Sequence, residues 1–177
     1  ITVVMLGIML SMINGATFGG IGFLESKDQL WIMKSAPHGA KKFAYARLTE
    51  SLFLAIPMAL IPSIAASAVF GFNILEMISL IAYAYWSTCG AVLLCIGVTT
   101  INPAYENQRS SAFYINTFAS IFLILIAVFG SLILSIRILS ESANLPLFMI
   151  AMSTPLVILG ILIFLIGVAR MSKADIH

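Results

Sequence analysis

Side chains suited to nucleophilic or metal chemistry are few in this chain, and the best of them are His38, His177, Cys89 and Cys95. The two cysteines lie six positions apart on one apolar run, which matches neither a CxxC redox pair nor a metal-ligand spacing. Free cysteines in such a run read as buried packing residues. Both histidines fall outside the apolar runs, so no metal or nucleophile set is available inside a membrane. Nothing resembles HExxH or GxSxG. The phosphate-cradling pattern GxxxxGK[ST] is also missing, which leaves the chain without a visible means of hydrolysing ATP. No catalytic residue, no metal site and no directly bound cofactor is expected.

The elements that position these residues follow from composition. Of 177 residues, 61% are hydrophobic and 9% charged, whereas a soluble domain carries about a quarter charged residues. The apolar residues gather into runs of about 20 or more, enough to cross roughly 30 Å of hydrocarbon as helix. In lipid every backbone N–H and C=O must be paired internally, and these runs lack the alternation of a barrel strand, so the expected fold is an all-α, polytopic membrane protein. Five spans are predicted, at about 1–24, 51–70, 77–101, 112–136 and 147–169, forming a single transmembrane domain over 1–177. Pro57 and Pro62 should kink the second, and Pro155 should break the fifth. Gly71-Phe72-Asn73 reads as a tight turn. On the first span Gly7, Ser11, Gly15 and Gly19 recur at four-residue intervals, a small-residue face suited to close helix packing.

Charge placement orients the spans. With five crossings, residues 25–50, the link 102–111 and the C-terminal tail share one side, which holds Lys27, Lys34, Lys41, Lys42, Arg47, Arg109, Arg170 and Lys173. Only Arg137 lies opposite. Basic residues are retained in the cytoplasm, so the long loop and the C-terminus are expected there and Ile1 outside, in a cell (plasma) membrane surrounded by lipid. A net charge of +2 distributed in this way gives no reason to expect nucleic acid as a partner. The centres of the spans carry no Asp, Glu, Lys or Arg, where ion-coupled carriers place such groups, which disfavours a self-powered pump. Asn14, Thr88, Asn116 and Ser153 are the main intramembrane polar residues, and bonds between helices are their expected use.

Residues 25–50 are the informative loop. Leu30 to Met33 with Lys27 and Lys34 suits a short helix at the membrane surface. Ser35-Ala36-Pro37 turns the chain. Beyond it Ala40, Phe43, Ala44, Arg47, Leu48 and Ser51 recur at helical spacing, with Lys41, Lys42, Tyr45 and Thr49 off that stripe, so the second span should continue below the membrane and complete a helix–turn–helix elbow.

At Glu25, Lys27, Trp31, Lys34, Ser35, Pro37 and the later Arg47 the sequence resembles the cytoplasmic loop of ABC-2 type exporter permeases, the pattern E-x-K-x-x-W-x-x-K-S-x-P followed by a basic residue. The link Asn102-Pro103-Ala104-Tyr105-Glu106-Asn107 is similar to the family's second cytoplasmic signature. The resemblance implies a permease subunit whose elbow, with Lys41 and Lys42 adding charge, docks on a separate ATP-binding-cassette ATPase that binds ATP and Mg. A further permease half or a second copy would complete the pathway. Gly39 stands where the family often has Ser, and Arg47 where Lys is usual. The family has six spans or a multiple, and five are predicted here; with Ile1 in place of an initiating Met, a C-terminal piece of such a permease is expected. A membrane scaffold subunit that moves no substrate is the alternative, and an ion-coupled secondary carrier the third choice.

Overall fold

The computed structural model describes residues 2–20, 38–103, 111–142 and 145–174, and every element among them is helical. Helix α1 (Thr2–Asn14) continues into a wider π-helical segment, Gly15–Gly20. It is followed by α2 (Gly39–Phe70), α3 (Ile74–Ile101), α4 (Ser111–Ser142) and α5 (Leu145–Ala174). Four helices of the described residues are long and apolar enough to cross a membrane, at Lys41–Phe70, Ile74–Ile101, Ser111–Ile133 and Pro146–Met171. The chain is thus a multi-pass, all-α membrane protein. The first predicted span runs to Leu24, past the last described residue of that segment.

Polarity is distributed as lipid requires. Phe53, Ile61, Val69, Phe118, Phe129, Ile133 and Ile166 project outward, Val69 with 81% of its surface exposed. Such a surface would aggregate in water, whereas hydrocarbon solvates it. The interior is instead rich in small and hydroxyl residues, among them Ser51, Ser63, Ser67, Ser87, Thr88, Ser120 and Ser131. Because lipid tails are as apolar as leucine, helices gain little from burying leucine and associate through close contact of small residues.

Helix α3 is the centre of the bundle: 72% of its apolar window is buried, against 28% for α2 and α4 and 39% for α5. On one side it meets α1. A methyl group added to Gly7 would strike the Tyr83 ring, one on Gly15 would lie 2.8 Å from the Ala91 Cβ, and one on Gly19 2.6 Å from the Cys95 Cβ. The offset between partners is constant, so α1 and its π-helical continuation run parallel to α3. On the other side Gly90 and Gly97 face α5, where added Cβ atoms would lie 2.9 Å from the Val157 nitrogen and 2.6 Å from the Phe164 nitrogen. Gly160 and Gly167 return the contact onto the Gly90 and Gly97 carbonyls. Both helices therefore present glycine pairs seven residues apart, and they too run parallel.

Helix α2 runs the other way. The Tyr45 ring near its start meets Phe164 near the end of α5, edge to face at 5.4 Å. Its inner face is a stripe of Ser51, Ala55, Ala59, Ser63 and Ser67, all buried. At its first turns Ala44 is fully buried and Phe43, Arg47 and Leu48 half-buried, while Lys41, Lys42, Tyr45 and Thr49 are exposed. The stripe read from the sequence is the inner face. The helix stops at Gly71, whose φ of 66° is the left-handed conformation that glycine adopts without penalty. Asn73 then opens α3 with a capping box: its side chain accepts from the Glu76 N–H, and the Glu76 carboxylate accepts from the Asn73 N–H, both at 2.9 Å.

The break expected at Pro155 does not occur, and α5 is continuous through it, as α2 is through Pro57 and Pro62. A break would expose several backbone groups to hydrocarbon, whereas a single proline frees one carbonyl. Neighbouring hydroxyls also bind carbonyls in these stretches: Thr154 donates to the Ile150 carbonyl at 2.7 Å, and Ser63 to that of Ala59 at 2.7 Å.

Gly97→Ala should destabilise the bundle by about 1–3 kcal/mol, because the atoms it meets are backbone and cannot rotate away. Gly130 lies on α4 with nothing within 4 Å of an added methyl, so Gly130→Ala should be neutral or stabilising by about 0.5–1 kcal/mol. Unfolding of the two variants in mixed micelles by sodium dodecyl sulfate, followed by helicity, checks the pair; equal midpoints would contradict the glycine seam.

Candidate functional site

The residues that could do something other than pack gather at the end of the bundle formed by the finish of α1, the start of α2, the finish of α3 and the start of α4. Helix α2 begins at His38, a non-glycine residue with φ of 58° whose side chain makes no capping bond. Its carbonyl accepts from the Lys42 N–H at 3.0 Å. Lys41 and Lys42 project from the first turn into solvent. Arg47, one turn further in, has 14% of its side chain exposed and forms an ion pair with Glu50 at 2.8 Å. The other elbow residues, Glu25, Lys27, Trp31, Lys34, Ser35 and Pro37, lie outside the described residues.

Of the second signature, Asn102 and Pro103 are described, and Tyr105, Glu106 and Asn107 lie outside the described residues. Asn102 closes α3, its N–H donating to the Val98 carbonyl at 3.2 Å. It is also clamped to α4: its side-chain amide donates to Asn116 Oδ1 at 3.2 Å, and Asn116 Nδ2 donates to the Asn102 carbonyl at 2.6 Å. One asparagine thereby satisfies both a backbone and a side-chain group at the helix end, where α3 has run out of donors of its own.

The other intramembrane polar residues behave differently from expectation. Thr88 donates to the Ala84 carbonyl at 2.8 Å and Ser153 to the Met149 and Ile150 carbonyls, so each bonds its own helix. A hydroxyl two bonds from the backbone reaches the carbonyl one turn back more easily than a neighbouring helix. The Asn14 amide nitrogen is buried with no partner among the described residues. A bond between helices comes instead from Ser51, which donates to the Phe18 carbonyl in the π-helical segment at 3.1 Å. Cys89 and Cys95 are both buried free thiols. Among the described residues no three of His, Cys, Asp and Glu come together as a metal site.

Beside the Asn102–Asn116 clamp is a cavity of about 170 Å³. Ala16 and Thr17 of the π-helical segment, Cys95 and Thr99 of α3, and Asn116, Thr117 and Ser120 of α4 supply much of its wall. The remainder is apolar, including Met12, Phe113 and Ile124. Of this wall, sequence reasoning singled out only Asn116 and Cys95. Thr17, Thr99 and the Thr117–Ser120 pair sit on three different elements far apart in sequence, so only the fold brings them together. Comparisons with protein-family models, with curated proteins and with solved structures give no match for this chain. Its own residues therefore carry the functional inference.

Asn116→Leu should cost about 1–3 kcal/mol, since it leaves the Asn102 carbonyl and amide without their partner. Thr117 donates only to the Phe113 carbonyl of its own helix, at 2.9 Å, and Thr117→Val should cost less than about 1 kcal/mol. Detergent unfolding midpoints check the order; the reverse order would show that the clamp does not hold α4.

Proposed function

We propose that this chain is the permease subunit of an ATP-driven exporter of the ABC-2 type, with ATP hydrolysis on a separate cytoplasmic subunit. The observation that carries it is the run Glu25-x-Lys27-x-x-Trp31-x-x-Lys34-Ser35-x-Pro37, followed almost at once by a helix that continues unbroken from Gly39 to Phe70. Thirty-two residues of helix extend about 48 Å, more than the roughly 30 Å of hydrocarbon. A push on the loop would travel along such a rod into the bundle, where Ser51 ties it to α1 and Tyr45 to α5. Lys41 and Lys42 offer two exposed positive charges to a partner at its base. The excess of basic residues on that side supports a cytoplasmic position for the loop and the C-terminal end, in a plasma membrane. The absence of charged residues from the predicted span centres supports an energy source on another subunit.

The small-residue seams of α1, α3 and α5 also suit a membrane scaffold that moves nothing, and one experiment separates the two. The tagged full chain is purified from membranes of its own source, and the retained ATP hydrolysis is measured. An ATPase should co-purify with the wild type, and Trp31→Ala/Pro37→Ala or Lys41→Glu/Lys42→Glu should lower the retained activity several-fold at equal recovery of the chain. Stable, intact chain that retains no ATPase would sink the exporter in favour of the scaffold.

A further inference from the structure

We infer that the cavity between the π-helical segment, α3 and α4 is a binding site for a small neutral ligand of about benzene's size bearing one hydroxyl donor, of the phenol or short branched alcohol class. This inference is independent of whether the chain belongs to an exporter.

Size sets the first limit. At about 170 Å³ the space is close to the roughly 150 Å³ apolar cavities that take up benzene, and several times the roughly 30 Å³ that one water occupies in the liquid. Met12, Phe113, Ile121 and Ile124 provide an apolar surface for the body of such a molecule.

Hydrogen bonding sets the second. Thr17 donates its hydroxyl proton to the Ile13 carbonyl at 2.8 Å, Thr99 to those of Cys95 at 3.0 Å and Ile96 at 2.9 Å, and Thr117 to that of Phe113 at 2.9 Å. With the protons committed to the helices, those three oxygens retain lone pairs only. Ser120, buried in the same wall, keeps its hydroxyl proton free of any helix carbonyl among the described residues. Asn116 has spent its carbonyl oxygen and one N–H on Asn102. The wall therefore offers three accepting oxygens against the second Asn116 N–H and the Ser120 hydroxyl, and a ligand hydroxyl, which donates as well as accepts, matches it.

Charge sets the third. The lining contains no carboxylate, lysine or arginine, and Thr99, Asn116 and Ser120 are each more than nine-tenths buried. A cation placed there would lose its hydration without a counter-charge, and an anion would find too few donors. Neutrality follows from the same wall that selects a donor.

The test uses the full chain in lipid nanodiscs and ¹⁹F ligand-observed NMR, with empty nanodiscs subtracting partition into lipid. 4-Fluorophenol should bind saturably, and 4-fluoroanisole, which has the same ring but no donor, about tenfold more weakly, the worth of one hydrogen bond. Thr99→Val/Thr117→Val should bring the two ligands level, and Ala16→Leu, which fills the space, should remove both. The wild-type comparison decides without any variant: no saturable fluorophenol signal above empty nanodiscs, or equal binding of the two ligands, overturns the assignment.

Discussion

Close approach of one helix backbone to another is the constraint on which this bundle depends. In hydrocarbon, burying a leucine gains almost nothing, so cohesion has to come from dispersion contacts at short range and from the few polar bonds that reach across. Helix α3 meets that requirement on two sides at once. Towards α1 it offers Ala91 and Cys95 to Gly15 and Gly19; towards α5 it offers Gly90 and Gly97 to Gly160 and Gly167. The large side chains are displaced outward as a result, which is why Phe118, Phe129 and Ile166 face lipid while serines and alanines fill the interior.

Polar groups inside the bundle serve the backbone before they serve contacts between helices. Thr88, Thr99, Ser63, Ser67 and Ser153 each donate to a carbonyl one turn back on their own helix. Besides the donation of Ser131 on α4 to the Met152 sulfur on α5 at 3.8 Å, cross-helix polar ties occur where the helical ladder is already interrupted, at the Phe18 carbonyl of the π-helical segment and at the Asn102 end of α3. Both lie at the same end of the molecule as the first turn of α2. The cavity lies there as well, bounded by the widened winding of Ala16 and Thr17. Irregular backbone, cross-links and space thus occur together, as expected where a helix departs from α geometry for reasons other than packing.

How much of this was legible in the residues varies by element. The outer helices announced themselves through apolar length, and the first turns of α2 through the Phe43–Ala44–Arg47–Leu48 stripe, because the inner face of a helix repeats with the helical period whatever the solvent. The spans read from hydropathy end at Ile136 and Ala169, while the helices that contain them continue to Ser142 and Ala174; a helix does not stop where apolar residues stop. Pro155, expected to break its helix, misled for a related reason: in water a break is readily hydrated, and in lipid it is not. The stripe on α1 was visible because its four members lie on one short run. The glycines of α3 and α5 were not, as each helix shows only two of them and their meaning lies in the pairing. The cavity wall was invisible in the same way, being assembled from three helices far apart in sequence.

The seven-residue spacing of the glycines gives the α3–α5 pair a mechanical character. Seven residues make nearly two helical turns, or about 10.5 Å along the axis, and on each helix the paired notches are that far apart. A slide of one or two residues would press a side chain into a place that accommodates only a hydrogen atom. The two helices are keyed together like splined shafts, and relative motion along their length is indexed in coarse steps rather than continuous. A rearrangement of the bundle that keeps these notches engaged carries α3 and α5 as one body.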